Sequence, residues 1–143
     1  MEEERQVIYE TKKILKDKTI AKFELCYMGR RYFQIDAFVE NKNVGFCNFF
    51  IEKTGSCFIN LIEITNKQYE NKGIASKMLN LTERFAKSQN CFIVEGKFIP
   101  KSNSAEHFYQ KNGYKIEWDY DMYRYGICKS LIFKDNNEDV PTF

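Results

Sequence analysis

The 143-residue sequence predicts an α+β domain built on a mixed sheet of six to seven strands, mostly antiparallel with one parallel pair, flanked by helices. Two observations support this fold class. Residues 19–64 alternate with period two and are rich in β-branched and aromatic residues between short turns, which is typical of an antiparallel meander. Residues 74–85 then follow helical spacing and precede an apolar run, so a crossover helix should join two parallel strands.

The first half of the chain supplies one helix and four strands. Residues 2–18 carry a partial apolar stripe among charges and predict an amphipathic helix docked on the domain. The strands are expected at residues 19–28, 31–40, 44–52 and 56–64. The last is nearly continuous in apolar residues, which indicates a central strand covered on both faces. Asn60 and Glu63 interrupt it, and a polar residue there needs a partner or a nearby bulge.

The second half begins with the crossover helix, which should end near residue 89 with Asn90 as its cap. Its apolar face is formed by Ile74, Met78, Leu81 and Phe85. A buried strand at residues 91–99, a short helix at 104–112 followed by a Gly113 cap, and a terminal hairpin at 114–117 and 123–133 complete the fold. We therefore expect one domain, residues 1–134, and a polar tail at 135–143.

Charge and cysteine usage exclude several classes of protein. The chain has 22 basic and 20 acidic residues and no basic run, so we expect neither a nucleic-acid nor a membrane partner. Its five cysteines are odd in number and form no C-x-x-C pair, and His107 is the sole histidine. A zinc site and a disulfide framework are therefore not expected. A reducing, cytoplasmic setting is the default for such a chain.

The turn before the crossover helix is a candidate anion site. An apolar strand ends at Ile64, a glycine-containing loop follows, and helical spacing begins at Ile74. A helix start exposes unpaired N–H groups and the positive end of the helix dipole, which suits a phosphate. Gly73 permits close backbone approach, and Ala75 keeps the next turn narrow. An ordinary strand-to-helix turn has the same pattern, so the turn alone does not decide.

Two motifs at this separation make the sequence resemble the GNAT N-acetyltransferase superfamily. Residues 70–75 read E-N-K-G-I-A, which is similar to the Gln/Arg-x-x-Gly-x-Gly/Ala loop of that family. Glu70 departs from the usual Gln or Arg. Residues 103–114 read N-S-A-E-H-F-Y-Q-K-N-G-Y, which matches the second family signature. The resemblance covers about residues 44–117 and implies the GNAT fold, in which the parallel pair splays to open a slot for CoA.

The resemblance implies acetyl-CoA as the donor and a primary amine, on a small molecule or a protein, as the acceptor. The N–H groups of the loop and helix start would cradle the pyrophosphate, and Lys72 would add charge. The implied residues there are Asn71, Lys72, Gly73, Ile74, Ala75 and Ser76. The backbone around Ile64 and Thr65 would lie along the thioester, with an N–H near Ile64 stabilising the oxyanion. Asn103 would contact the pantetheine or phosphate region, or act only as a helix N-cap.

The catalytic candidates are a tyrosine and a glutamate. The resemblance places Tyr109 near the CoA sulfur as general acid, although it could instead be a core aromatic beside Phe108. An acceptor amine must lose a proton, and Glu63 or Glu95 could take it, directly or through water. Each carboxylate could also be structural. His107 lies off the apolar face of its helix and is expected to be a solvated surface residue.

Two alternatives to an acetyltransferase remain open from the sequence. The chain could be an acetyl-CoA-binding module with little or no turnover, or an interaction protein that binds no CoA. The acceptor is not identified by any motif, and a second subunit could close the acceptor groove to form a homodimer. An aromatic cluster in the last strands could border the acceptor end or could reflect packing alone. That cluster is Trp118, Tyr120, Tyr123 and Tyr125.

Overall fold

A computed structural model describes residues 5–98 and 103–132, which form one eight-stranded sheet with two α-helices packed on it. The strands are β1 Gln6–Ile14, β2 Ile20–Gly29, β3 Tyr32–Val39, β4 Lys42–Ile51, β5 Ser56–Ile64, β6 Ile93–Phe98, β7 Lys115–Asp119 and β8 Arg124–Ser130. The helices are α1 Ile74–Ser88 and α2 Asn103–Lys111, and a 3₁₀ turn spans Lys67–Tyr69. The predicted tail at residues 135–143 lies outside the described residues.

The sheet order is β1-β2-β3-β4-β5-β6-β8-β7. Strands β1 to β5 form the antiparallel meander, because each short turn returns the chain beside the strand it has just left. The β5–β6 pair is parallel and is joined by α1, whereas β7 and β8 form the terminal hairpin. The predicted α+β class, with a mixed sheet and one parallel pair, is confirmed.

The prediction of a helix at residues 2–18 is wrong, because residues 6–14 form the edge strand β1. Val7, Tyr9 and Thr11 favour extended structure, and pairing with β2 satisfies the backbone polar groups. The register shifts between Val7 and Tyr9, so Ile8 and Tyr9 both pack against the core. This irregularity breaks the period-two pattern that would have revealed a strand. The edge carries lysines, which discourage pairing with other chains.

Helix α1 packs across β3, β4 and β5 and closes the core. The four residues of its predicted apolar face are all buried, which confirms that face. Full burial of each such side chain contributes about 1.5–3 kcal/mol. The helix ends as expected, since Asn90 adopts the left-handed conformation with φ +67° and the Cys91 N–H donates to the Ala86 carbonyl. Gly113 does the same after α2, with φ +88°.

Three further observations concern the cysteines, membrane-spanning helices and metal-binding clusters. All five cysteines are free thiols, four of them buried. No helix in the described part of the chain is long and apolar enough to cross a membrane. Within residues 5–98 and 103–132, no cluster of three or more His, Cys, Asp or Glu side chains could hold a metal ion.

Candidate active site

The candidate site is a cleft that opens where β5 and β6 diverge. The two strands pair only from Ser56 to Ile59 on β5 and from Ile93 to Gly96 on β6. β5 then continues to Ile64, and no strand among the described residues pairs with it on that side. The resulting cleft has a volume of about 890 Å³ and lies between the free part of β5, the end of β6, the loop before α1, and α2. A splayed parallel pair thus leaves one strand edge open beside a helix start.

A bulge at Asn60 prepares this open edge. Phe49 of β4 faces Ile59, whereas the preceding Asn48 faces Leu61, so Asn60 is an extra residue in β5. The extra residue shifts the side-chain alternation, and Ile62 and Ile64 therefore pack towards the core. Asn60 Nδ2 donates to Asn48 Oδ1 at 3.1 Å, which satisfies the polar residue in the strand. The bulge predicted near Asn60 and Glu63 therefore lies at Asn60.

The β4–β5 ladder leaves the Ile64 N–H pointing into the cleft. The Thr65 N–H donates to the Val44 carbonyl at 2.9 Å. In an antiparallel ladder, pairs that exchange hydrogen bonds alternate with pairs that do not. The adjacent Ile64–Gly45 pair is therefore not bonded, and the Ile64 N–H is directed away from β4, towards the side that β6 has left. Thr65 itself is committed to β4 and does not line the cleft.

The start of α1 offers unpaired backbone donors to the same cleft. Gly73 is the N-cap residue with φ +88°, a left-handed conformation that glycine adopts without strain. The first bond of the helix runs from the Lys77 N–H to the Gly73 carbonyl. The N–H groups of Ile74, Ala75 and Ser76 therefore have no acceptor within the helix, and glycine has no side chain to cap them. The first turn carries no acidic residue that would oppose an anion.

The charge around the cleft is predominantly positive. Six lysines and two glutamates line it: Lys13, Lys16, Lys18, Lys72, Lys97, Lys111, Glu63 and Glu70. Lys72 is already engaged, because its Nζ donates to Asp17 Oδ2 at 2.9 Å. Hydrogen bonds from Lys72 and Thr19 hold the pKa of Asp17 well below its usual range. Lys72 therefore contributes less free charge to this loop than its sequence position suggested.

Tyr109 lies in the wall of the cleft with its ring in the core. The residue is 6% exposed, and its ring stacks on Phe98 at 5.4 Å. Its hydroxyl has no hydrogen-bond partner among the described residues. Burial raises the pKa of the phenol, so the hydroxyl keeps its proton at neutral pH. Tyr109 is thus both a core aromatic and a residue that lines the cleft, and its role as general acid stays a prediction.

The neighbouring Tyr114 has a different role. Its hydroxyl donates to Glu83 Oε2 at 2.7 Å in a buried site, and Lys129 Nζ donates to Glu83 Oε1 at 3.0 Å. This network joins α1 to β8 and to the residue that enters β7. Tyr114 does not line the cleft. Tyr114 therefore has a structural role, unlike Tyr109, which lines the cleft.

The remaining predicted site residues divide between the cleft and the rest of the molecule. Glu63 is exposed and lines the cleft. Glu95 does not line it; its carboxylate accepts a hydrogen bond from Ser56 Oγ at the far end of the β5–β6 pair. His107 is exposed and also lies outside the cleft lining. Asn103 is the first residue of α2. The roles of Glu63, Thr65 and Asn103 stay predictions.

The aromatic cluster lies at the tip of the β7–β8 hairpin. The Trp118 ring is 4.9 Å from Tyr125 and 6.3–6.4 Å from Tyr120 and Tyr123. The strand pairs Phe98–Tyr125 and Trp118–Tyr125 place this tip beside the end of β6, where the cleft opens. Tyr120 and Tyr123 are 79% and 73% exposed. The cluster therefore presents an apolar surface near one end of the cleft.

The sequence did not reveal the contribution of the N-terminal strand. Lys13 from β1 and Lys16 and Lys18 from the β1–β2 turn reach the cleft, although they precede the Gly73 turn by more than 50 residues. The four lysines among residues 12–18 were the available signal. It could not be placed because these residues were expected to be helical.

Comparisons with known proteins agree with this architecture. The family described as "Acetyltransferase (GNAT) domain" matches residues 31–116. The GNAT domain of the S. lividans protein PAT superposes with a TM-score of 0.72 at 10% identity, covering 85% of this chain and 96% of that one. A search of curated protein sequences finds no significant match.

Two further similar structures contain coenzyme A or acetyl coenzyme A. PaiA N-acetyltransferase from Thermoplasma acidophilum, in complex with coenzyme A, has a TM-score of 0.64 at 21% identity and covers 70% of this chain and 61% of that one. A Bacillus anthracis protein assigned as a streptothricin acetyltransferase, in complex with acetyl coenzyme A, has a TM-score of 0.64 at 17% identity, with 90% and 88% covered. The family match spans more than half of the sequence. The chain belongs to the GNAT acetyltransferase family.

Proposed function

We propose that this protein is an acetyl-CoA-dependent N-acetyltransferase that moves an acetyl group from CoA to a primary amine by direct attack. The observation that carries the proposal is the cleft itself. It combines an open β5 edge, an uncapped helix start and the Tyr109 hydroxyl, which has no hydrogen-bond partner among the described residues. Family membership supports acyl transfer in general, and the amine acceptor is part of the proposal.

The donor would bind along the open edge. The CoA pyrophosphate would accept hydrogen bonds from the N–H groups at the start of α1, where the helix dipole and the surrounding lysines favour an anion. The pantetheine arm would extend β5 as an added strand. The thioester carbonyl would then lie near the Ile64 N–H, which can stabilise the negative charge that develops on that oxygen.

The acceptor amine would attack the thioester carbon as a neutral group. The new N–C bond forms and the C–S bond breaks, with the electron pair leaving on sulfur. Glu63 would receive the proton lost by the amine, directly or through water. Tyr109 would donate its hydroxyl proton to the departing thiolate. Its raised pKa ensures that the proton is present before the reaction.

The cysteines argue against a covalent acetyl-enzyme. None of the five lines the cleft. Burial raises the pKa of Cys26 to about 11 and that of Cys47 to about 12, so neither thiol is an available nucleophile at neutral pH. Direct transfer to the acceptor within a ternary complex therefore fits this chain better than a two-step exchange through cysteine.

The acceptor would approach near the β7–β8 tip, where exposed Tyr120 and Tyr123 could pack against its apolar part. A small amine, a protein lysine and a protein N-terminus all carry the required group. The binding-module alternative shares the donor site and differs only in turnover.

The test is release of free CoA thiol from acetyl-CoA, measured with a panel of small amines and lysine-containing peptides. Mass spectrometry of the acceptor should detect a gain of one acetyl group. Tight acetyl-CoA binding without thiol release for any acceptor would favour the binding module. If millimolar CoA does not raise the melting temperature, the proposed donor site is wrong.

A further inference from the structure

We propose that Lys13, on the N-terminal strand β1, is a donor-binding residue that pairs with the diphosphate of CoA at the start of α1. This inference rests on the proposed function, since it names a residue of the same donor site. It assigns a binding role to a strand that lies outside the matched family segment, residues 31–116.

The position of the Lys13 ammonium carries the inference. Lys13 Nζ lies 3.7 Å from the point that a Cβ would occupy on Gly73. Lys13 faces Ala21 across the β1–β2 ladder. Ala21 is fully buried in the core, on the face of the sheet that the helix α1 covers. Residues directly opposite in such a ladder project to the same face. The lysine therefore reaches over the turn whose N–H groups are unpaired.

The charges around the Lys13 ammonium favour the binding of an anion. Lys13 forms no ion pair with any carboxylate in the described part of the chain. Burial, Arg84 and Lys13 lower the pKa of Lys77 near the start of α1, so the Lys13 ammonium lies close enough to repel a second cation there. A bound diphosphate would offset that repulsion. It would also accept hydrogen bonds from the free backbone N–H groups.

Neither lysine of the loop is placed to take this part, because Lys67 does not line the cleft and Lys72 pairs with Asp17. Position 70 is Glu, and Lys72 is held by Asp17 of the β1–β2 turn. Lys13 comes from the strand that leads into the same turn. Asp17 of the β1–β2 hairpin thus pairs with Lys72, while Lys13 of the same hairpin supplies the ammonium that lies over Gly73.

The experiment measures dissociation constants calorimetrically for CoA, 3′-dephospho-CoA and pantetheine with wild type and three variants. The variants are Lys13→Met, Lys13→Arg and the control Lys12→Met. Lys12 is exposed on the same strand, faces Lys22 and does not line the cleft. All four proteins should have similar circular dichroism spectra and melting temperatures, because both lysines are exposed.

We expect Lys13→Met to weaken CoA and 3′-dephospho-CoA binding by about tenfold each, the scale of one charge-assisted hydrogen bond. Lys13→Arg should retain most of the affinity, and Lys12→Met should behave as wild type. Pantetheine, which has no diphosphate, should bind all four proteins equally. The salt dependence of CoA binding should be weaker in Lys13→Met.

Unchanged CoA affinity in Lys13→Met, or an equal loss in Lys12→Met, would overturn the inference while leaving the donor site in place. A loss confined to CoA, with 3′-dephospho-CoA unaffected, would assign Lys13 to the 3′-phosphate and overturn the diphosphate pairing. The expected binding pattern without any acetyl transfer would uphold Lys13 and remove the proposed catalysis. Absence of CoA binding to wild type would remove both.

Discussion

At the scale of single residues, the site depends on the difference between two adjacent tyrosines. Tyr109 and Tyr114 are both buried, and their rings are 5.7 Å apart in an edge contact. Tyr114 donates to Glu83, whereas Tyr109 has no described acceptor and lines the cleft. Sequence alone places both in one motif. The structural hydroxyl of Tyr114 and the candidate general acid Tyr109 are distinguished only by the way α1 and β6 pack around them.

Replacing Tyr109 by Phe should lower kcat by about 10² or more, because the proton for the leaving thiolate is removed while the ring packing is kept. Acetyl-CoA affinity should not change. Steady-state kinetics and calorimetry measure the two quantities. The matched control, Tyr114→Phe, should retain kcat and lose about 1–3 kcal/mol of unfolding free energy, because Glu83 loses a buried donor. Equal kcat in wild type and Tyr109→Phe would remove Tyr109 from the mechanism.

The pH dependence of kcat at saturating acetyl-CoA should also test whether the pKa of Tyr109 is raised. The rate should rise with pH as the acceptor amine loses its proton. Burial raises the pKa of Tyr109, so its hydroxyl stays protonated through the pH at which an ordinary tyrosine ionises, about 10. The profile should therefore show no decline centred near pH 10. A decline there that vanishes in Tyr109→Phe would contradict the raised pKa.

At the scale of elements, the geometry of the cleft depends on how β5 is held against β4. Gly45 permits close approach, because an added Cβ would lie 2.8 Å from the Glu63 carbonyl oxygen and 2.9 Å from Ile64 Cδ1. The same segment of β5 presents the Ile64 N–H to the cleft. Packing between these two strands therefore determines the geometry of the proposed oxyanion contact.

Gly45→Ala should destabilise the fold by about 1–3 kcal/mol, the usual cost of overpacking, and should lower kcat because β5 must shift. Urea unfolding and kinetics measure the two effects. Gly126→Ala is the matched control: this strand glycine has only ordinary contacts around an added Cβ, at 3.6 Å and beyond. We expect its unfolding free energy to change by less than about 0.5 kcal/mol. A fully stable and active Gly45→Ala protein would show that β5 has room to adjust.

The elements also show what the sequence can and cannot reveal. The face of α1 was predictable, because Ile74, Met78 and Phe85 keep helical spacing and are buried on one side. Strand β1 was not, because the bulge at Ile8 breaks its alternation and its stability comes from pairing with β2. Lys13 was missed for the same reason, since its place over Gly73 depends on β1 being a strand. Long-range pairing is not encoded in local periodicity.

At the scale of the whole molecule, the described residues share one hydrophobic core that extends from Leu15, after β1, to Leu131, after β8. We therefore propose that the chain unfolds as one domain. Trp118 fluorescence reports on the β7–β8 hairpin, and far-ultraviolet circular dichroism reports on the sheet and helices together. The two signals should give the same urea midpoint. Two separate midpoints would indicate that the hairpin end and the meander unfold independently.

The most direct test of the account is a crystal structure of the protein with acetyl-CoA bound. We expect the diphosphate within hydrogen-bonding distance, about 3 Å, of the N–H groups at the start of α1, with the Lys13 ammonium beside it. We also expect the thioester oxygen next to the Ile64 N–H and the sulfur next to the Tyr109 hydroxyl. Acetyl-CoA bound away from the β5–β6 cleft, or with its diphosphate distant from Gly73, would contradict the proposed donor site.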